Sequence, residues 1–81
     1  MKTSIKFCER VYELRTQARL KQSELGEAVG LSDKSICAME KGYRKTTVDK
    51  LVLLAEYFHV STDYLLGITD DPAWRGPEEE P

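Results

Sequence analysis

The sequence predicts an all-α fold, a single domain built from five short helices. Three observations support this prediction: the chain has only 81 residues, its apolar residues recur at helical spacing, and glycines and hydroxyl residues stand where the helices would end and begin. A chain of this length has room for one core. Its composition, 41% hydrophobic and 32% charged, is typical of a soluble globular domain and excludes a disordered or membrane-spanning chain.

The first two helices are predicted from their apolar spacing. The first runs over about residues 4–20, and its inner face carries apolar side chains three or four positions apart: Phe7, Val11, Leu14 and Ala18. The second runs over about residues 22–29, with an inner face formed by Leu25, Ala28 and Val29. Gly30 ends it, because glycine readily adopts the left-handed conformation that stops a helix.

The third helix is predicted to be short. Ser32 offers an N-cap oxygen, and the negative charge of Asp33 favours the start of a helix. Ile36 and Met39 occupy its buried positions, and Gly42 ends it.

The fourth helix is predicted to be the most apolar one, and the fifth is a single short segment. Thr47 caps the fourth helix, whose inner stripe consists of Val48, Leu51, Leu54 or Ala55, and Phe58. Ser61 caps the fifth helix and Gly67 closes it, with three large apolar or aromatic residues between them: Tyr64, Leu65 and Leu66.

Charge divides the chain into two parts. Residues 1–67 carry a net charge of +2, whereas residues 68–81 carry −4 and are rich in proline, glycine and acids around one large apolar residue, Trp74. We therefore predict a domain over 1–67 and an acidic, flexible tail over 68–81. Within the domain, four cations fall close together and are candidates for a surface that faces phosphate: Lys41, Arg44, Lys45 and Lys50.

The remaining chemistry-bearing residues do not form a catalytic or metal site. Cys8 and Cys37 stand far apart with no histidine near them, so two reduced thiols are expected, the alternative being a redox-sensitive Cys37. His59 has no nucleophile or carboxylate around it, and no cofactor is expected. No signal peptide is visible in Met1–Phe7, and the longest apolar stretch, Leu51–Ala55, is too short for a bilayer, which predicts a cytoplasmic protein.

The segment from residue 22 to residue 42 carries a recognisable pattern, which reads QSELGEAVGLSDKSICAMEKG. It resembles the helix-turn-helix of Cro and phage repressors, also called the xenobiotic-response-element type. The flanks VYELRTQARL and TVDKLVLLAEYFHVSTDYLLG resemble the first, fourth and fifth helices of that family, so the resemblance covers about residues 5–67. It implies a compact, five-helix, lambda-repressor-like DNA-binding domain that acts at the nucleoid.

Two glycines explain the pattern physically. Helices joined by a short turn must approach closely, which requires a side chain no larger than alanine at Gly26 and tolerance of positive φ at Gly30.

The chain departs from the family at Lys21, where Ser, Thr or Asn is commoner, so the second helix should be capped less well.

The resemblance assigns roles in DNA binding to two groups of residues. The outward side chains of the third helix are the candidates for reading bases: Asp33, Lys34, Ser35, Cys37 and Ala38. The candidates for contacting the sugar-phosphate backbone are Gln22, Ser32, Lys41, Tyr43, Arg44, Lys45 and Thr47. Two alternatives stay open: Asp33 only stabilises the helix start, and Lys34 only contacts phosphate.

Two further expectations concern contacts between parts of the protein. Small members of the family pair through their last helices, which implies a homodimer interface formed by Tyr57, Val60, Tyr64, Leu65 and Leu66. Family members often place an ion pair between the first and third helices, which predicts that Arg15 meets Glu40, the alternative being two independent surface charges.

The expected function is that of a sequence-specific DNA-binding transcriptional regulator, a repressor that binds an inverted-repeat operator in double-stranded DNA as a dimer. Two alternatives keep the same fold: an antitoxin or partner-binding module in which protein binding is the main task, and a restriction-modification controller. An enzyme is not expected, because no nucleophile-base pair, carboxylate dyad, phosphate loop or metal cluster is present. No small-molecule ligand or membrane association is expected either.

Overall fold

The computed structural model describes residues 3–43 and 46–73, with the backbone alone for residues 3–5. Within these ranges the chain forms five helices: α1 (Thr3–Gln17), α2 (Gln22–Val29), α3 (Asp33–Glu40), α4 (Val48–Phe58) and α5 (Thr62–Leu66). The described residues contain no strand, and the predicted all-α fold of five helices is confirmed.

A single core joins all five helices, because each amphipathic helix turns one face inward. Each helix contributes at least one large aliphatic side chain with no solvent exposure: Val11, Leu25, Ile36, Leu54 and Leu65. Burial of such a side chain contributes roughly 1.5–3 kcal/mol. All five helices therefore share one core, in which each packs against at least two others.

Three apolar residues predicted to face inward are exposed instead: Ala18, Ala28 and Val48. Helix α1 ends at Gln17, before the predicted end, and Arg19 takes a left-handed φ of 62° that turns the chain away. Ala28 lies beside the buried stripe of α2 rather than on it. Val48 is 75% exposed because it starts α4, where the helix projects past the core.

The turn between α2 and α3 is very tight. Gly26 is buried, and a β-carbon there would clash with the carbonyl oxygen of Leu31. The Leu31 N–H donates to the Gly26 carbonyl oxygen at 2.7 Å, and Gly30 adopts the predicted left-handed conformation with φ 76°. A side chain as small as alanine was expected to fit at position 26, but the two helices approach more closely than that, so glycine is required.

Hydroxyl caps begin three of the helices, as predicted. Ser32, Thr47 and Ser61 each accept a hydrogen bond from the backbone N–H three residues ahead, at 3.0–3.2 Å. Helix α2 has no side-chain cap from Lys21, also as predicted. The Glu24 carboxylate instead accepts from the Lys21 N–H at 2.7 Å, so one N–H at this helix end is satisfied.

Arg10 ties the start of the predicted tail to the domain. It is only 7% exposed, although the sequence analysis gave it no role. Its guanidinium donates to the carbonyl oxygens of Tyr64 (2.8 Å) and Thr69 (3.3 Å) and to the Asp70 carboxylate (2.8 Å). It also lies over the Tyr64 ring, 3.9 Å from the ring centroid. Residues 68–70 therefore follow α5 in a fixed direction.

A hydrogen bond from the Ser61 N–H to the Pro72 carbonyl oxygen, at 3.3 Å, holds the next part of the chain against the domain. Residues 74–81 of the predicted tail, including Trp74, lie outside the described residues. Among the helices of residues 3–43 and 46–73, none is long and apolar enough to cross a membrane.

Candidate nucleic-acid interface

Helix α3 presents one face to the core and the opposite face to solvent. Ile36 and Met39 are buried, as predicted, and they fix which side of the helix points outward. Asp33 and Lys34 are exposed, and Cys37 and Ala38 are half-buried on the same outward side. These four predicted base-reading residues are thus brought together on one helix face.

Ser35, the fifth predicted base-reading residue, lies apart from this face. It is half-buried, and its hydroxyl accepts a hydrogen bond from Ser32 Oγ at 3.1 Å. Ser32 Oγ itself caps α3 by accepting from the Ser35 N–H. Both hydroxyls are therefore engaged in the start of the helix.

Most of the residues predicted to contact the DNA backbone lie just before or just after this helix in the sequence. Lys41, Tyr43 and Thr47 are exposed, and Tyr43 is 81% exposed, which leaves its ring and hydroxyl free of the core. Thr47 also serves as the cap of α4. The corresponding predictions for Arg44 and Lys45 lie outside the described residues.

Arg15 and Glu40 meet between α1 and α3. Arg15 Nε lies 2.5 Å from Glu40 Oε2, and Arg15 Nη2 lies 3.0 Å from Glu40 Oε1, which makes the pair bidentate. The side chains are only 12% and 4% exposed, respectively. The hydrogen bond with Glu40 raises the pKa of Arg15 above its usual value, so its positive charge is retained throughout the neutral range.

Two further contacts extend this pair into a network. Arg15 Nη1 donates to the Leu20 carbonyl oxygen at 2.8 Å, and Gln22 Nε2 donates to Glu40 Oε1 at 3.1 Å. The network therefore joins the end of α1, the start of α2 and the end of α3. Gln22, which the sequence analysis assigned to DNA backbone contact, has its amide nitrogen bound inside the protein.

Lys50 has a role that the sequence analysis did not predict. It was grouped with cations facing phosphate, but its ammonium donates to the carbonyl oxygen of Val29 at 2.9 Å and lies 3.5 Å from that of Gly30. The sequence gives no indication of this contact, because every residue has a backbone carbonyl group and no pattern distinguishes the two that Lys50 contacts.

The residues predicted for a dimer interface fall into two environments. Val60 and Leu65 are 5% and 0% exposed, so their side chains already belong to the core of one chain. Tyr57 is 43% exposed, and Tyr64 and Leu66 are half-buried. Two other apolar side chains of α4, Val52 and Leu53, are also exposed and were not predicted as part of this surface; Leu53 lies one turn before Tyr57.

Helix α3 follows α2 after a tight glycine turn and exposes polar side chains to solvent, while the Arg15–Glu40 pair joins the end of α3 to α1. A short second helix placed in this way after a tight turn is typical of a helix-turn-helix domain. Comparison with known proteins agrees with this class. Residues 11–65 match the family model HTH_3, described as helix-turn-helix. The chain belongs to this helix-turn-helix family.

A named relative is the uncharacterized HTH-type transcriptional regulator YobD of Bacillus subtilis (strain 168), 41% identical over 66 residues. The match covers 82% of this chain but only 59% of YobD, so the chain spans little more than half the length of that relative.

Solved structures with the same fold include a repressor and a controller protein. The P22 c2 repressor, in complex with a synthetic operator, matches with a TM-score of 0.70 and 29% identity, covering 73% of this chain and 89% of the repressor chain. The restriction-modification controller protein C.AhdI from Aeromonas hydrophila matches with a TM-score of 0.71 and 28% identity, covering 80% and 98% of the two chains. The fold also forms about a third of hydroxypropylphosphonic acid epoxidase from S. wedmorenis, with a TM-score of 0.71, 25% identity and coverage of 80% and 35%.

Proposed function

We propose that this chain is a sequence-specific DNA-binding transcriptional regulator that acts as a repressor and binds an inverted-repeat operator as a homodimer. The observation that carries the proposal is the outward face of α3, where Asp33, Lys34, Cys37 and Ala38 lie together on a helix that the Arg15–Glu40 pair holds from behind. An α-helix of this kind fits the major groove, where base edges present donors, acceptors and the thymine methyl.

The chemistry of the face supports different roles for its members. The Lys34 ammonium can donate to guanine O6 or N7, and the Asp33 carboxylate can accept from cytosine N4. Cys37 and Ala38 offer small surfaces that suit a thymine methyl. Because the face has one cation and one anion, we expect the affinity to depend strongly on phosphate contacts and on DNA shape.

The surrounding residues supply the phosphate contacts in this proposal. The exposed cation Lys41 and the exposed phenol of Tyr43 lie just after α3, and Arg44, Lys45 and Thr47 follow in sequence. Such contacts position a protein on the duplex without reading its sequence. About three to five per subunit would give a dimer a log-log salt slope of roughly −6 to −9.

The dimer surface that we propose consists of the accessible members of the predicted set, namely Tyr57, Tyr64 and Leu66. The exposed Leu53, which lies one turn before Tyr57 on α4, enlarges it. Two-fold pairing would place one α3 in each of two successive major grooves, with half-site centres about 10–11 bp apart.

The test begins with selection of duplexes from a random-sequence library by the wild-type protein. We expect enrichment of an inverted repeat that binds two chains, measured by mobility shift and sedimentation. Lys34→Ala should then relax the preference at one base pair per half-site by about 1–3 kcal/mol. Lys41→Ala should weaken all sequences alike and flatten the salt slope by about two per dimer.

Two outcomes would overturn parts of this proposal. If the library yields no enriched sequence, the chain is not a sequence-specific regulator. If Lys34→Ala weakens selected and random DNA by the same factor, Lys34 is a phosphate contact, and the specificity lies with Asp33, Ala38 and DNA shape.

A second candidate function is that of a restriction-modification controller, favoured by the likeness to C.AhdI over 98% of that protein's length. Binding of the selected sequence upstream of restriction and methyltransferase genes would support it. We propose no catalytic activity for the chain, since the outward face of α3 and its surroundings hold groups suited to binding rather than to bond cleavage.

A further inference from the structure

The last turn of α2 has no basic residue of its own to offset the negative end of the helix dipole. The last carbonyl groups of a helix lack intrahelical partners and form the negative end of the helix dipole. A lysine or arginine in the last turn commonly satisfies both needs, but the last turn of α2 contains no basic residue. It contains the acidic Glu27 instead.

Lys50, which belongs to α4, supplies a positive charge at this helix end. It lies in the first turn of α4, and its ammonium reaches the Val29 carbonyl oxygen at 2.9 Å and approaches that of Gly30 at 3.5 Å. The side chain is half-buried, so these contacts are partly shielded from water. A β-carbon at Gly30 would lie 3.0 Å from the Lys50 nitrogen, so the glycine leaves space for the ammonium as well as permitting positive φ.

The two carbonyls belong to the residues that lead directly into α3. Gly30 is followed by Leu31, whose N–H bonds back to Gly26, and then by Ser32, the cap of α3. A cation fixed on Val29 and Gly30 therefore holds the backbone just before the predicted base-reading helix begins. The backbone of Lys50 is held as well, because its N–H donates to Thr47 Oγ1 at 3.2 Å.

We propose that Lys50 is a positioning residue for DNA recognition: it fixes the orientation of α3 by capping α2 from α4, and it does not act as a phosphate contact. This inference rests on the proposed DNA-binding function. A small error in the angle of α3 displaces every base contact at once, whereas phosphate contacts made by long side chains tolerate it. Loss of Lys50 should therefore reduce the discrimination between DNA sequences more than it reduces general DNA affinity.

The test compares Lys50→Met with a matched control, Lys41→Met, which removes an exposed lysine of the same length. The probes are the duplex that the wild-type protein selects from a random library and a shuffled duplex of the same composition. Lys50→Met should weaken binding to the selected duplex about ten-fold, leave binding to the shuffled duplex within about two-fold, and keep the salt slope unchanged. Lys41→Met should weaken both duplexes alike and flatten the slope by about one per subunit. Lys50→Arg, which retains a cationic donor, should restore much of the discrimination.

A measurement without DNA separates this inference from the proposed function. Amide hydrogen exchange of the free protein should be at least about five-fold faster in Lys50→Met than in the wild type at Leu31 and Ser35, whose N–H groups bond within the turn and cap. Exchange at Tyr64, bonded to Ser61 Oγ in the distant α5, should be unchanged, which also shows that the variant is folded.

Three results would overturn the inference. A flattened salt slope with equal losses on both duplexes would make Lys50 a phosphate contact. Unchanged exchange at Leu31 and Ser35 would show that the capping contact does not hold the turn, even if the library selects no DNA. Wild-type discrimination in Lys50→Met would show that the contact does not affect recognition.

Discussion

Helix α1 carries two largely buried arginine side chains, Arg10 and Arg15, whose carboxylate partners differ in exposure to solvent. This difference determines how much each ion pair should contribute to stability. Arg15 binds Glu40, whose side chain is 4% exposed, so both charges are largely removed from water. Arg10 binds Asp70, whose side chain is 94% exposed, so the carboxylate stays hydrated and the buried guanidinium relies on two backbone carbonyls and the Tyr64 ring.

From this comparison we expect the contribution of an ion pair to stability to be limited by the burial of its more exposed member. Breaking a buried pair strands a charge that water cannot reach, whereas an exposed partner is solvated again at little cost. Arg15 should therefore depend on its carboxylate, while Arg10 should depend mainly on its neutral partners.

The largest effect is expected from breaking the buried pair. Arg15→Met should lower the free energy of unfolding by about 3–5 kcal/mol, because Glu40 would remain buried without its main partner. Urea unfolding followed by circular dichroism measures this loss. Arg15→Met combined with Glu40→Leu should cost less than Arg15→Met alone. Additive losses of well under about 1 kcal/mol in this cycle would show two independent charges.

The pH dependence of the same pair sharpens the comparison. Since the pKa of Arg15 is raised in the folded protein, the stability from its charge is present below its ordinary pKa and is lost only as pH rises through the higher folded value. We expect the Arg15→Met loss to be constant between about pH 6 and pH 9. A loss that disappears within that range would contradict the assignment.

An intermediate effect is expected from Arg10. Arg10→Met should cost about 2–3 kcal/mol, because the Tyr64 and Thr69 carbonyls would lose a charged donor and the ring would lose its cation. Arg10→Lys should recover only part of this, since a single ammonium cannot reach all three oxygens. Equal stability of the wild type and Arg10→Met would show that these contacts contribute nothing.

The smallest effect is expected from Asp70. Asp70→Asn should cost well under about 1 kcal/mol, and the difference from the wild type should vanish at high salt, because the carboxylate is almost fully exposed. A loss as large as that of Arg10→Met would reverse the comparison and make the carboxylate the main partner of Arg10.

The two arginines also show which contacts can be predicted from the sequence and which cannot. The helix caps at Ser32, Thr47 and Ser61 could be predicted because a cap is a local pattern of a few residues. The Arg15–Glu40 contact could be predicted only through the family resemblance.

Arg10 and Lys50 could not be assigned, because most of their partners are backbone carbonyls that no spacing distinguishes. Inward-facing residues were predicted correctly in α3, as for Ile36 and Met39, but incorrectly at Ala18 and Val48, near helix ends, and at Ala28, beside the buried stripe of α2. The periodicity of a helix continues past its ends, whereas the core that the helix covers does not.

The glycine at position 26 has a consequence for redesign of the protein. Because even a methyl group there would meet the Leu31 carbonyl, the approach of α2 to the start of α3 is limited at this point by backbone atoms rather than by the side chains on the outer face of α3. We therefore expect substitutions at those outer positions to leave the turn between α2 and α3 unchanged. A library varied at Asp33, Lys34, Cys37 and Ala38 would explore new DNA preferences on an unchanged scaffold, and Gly26 is the residue that such a library should leave alone.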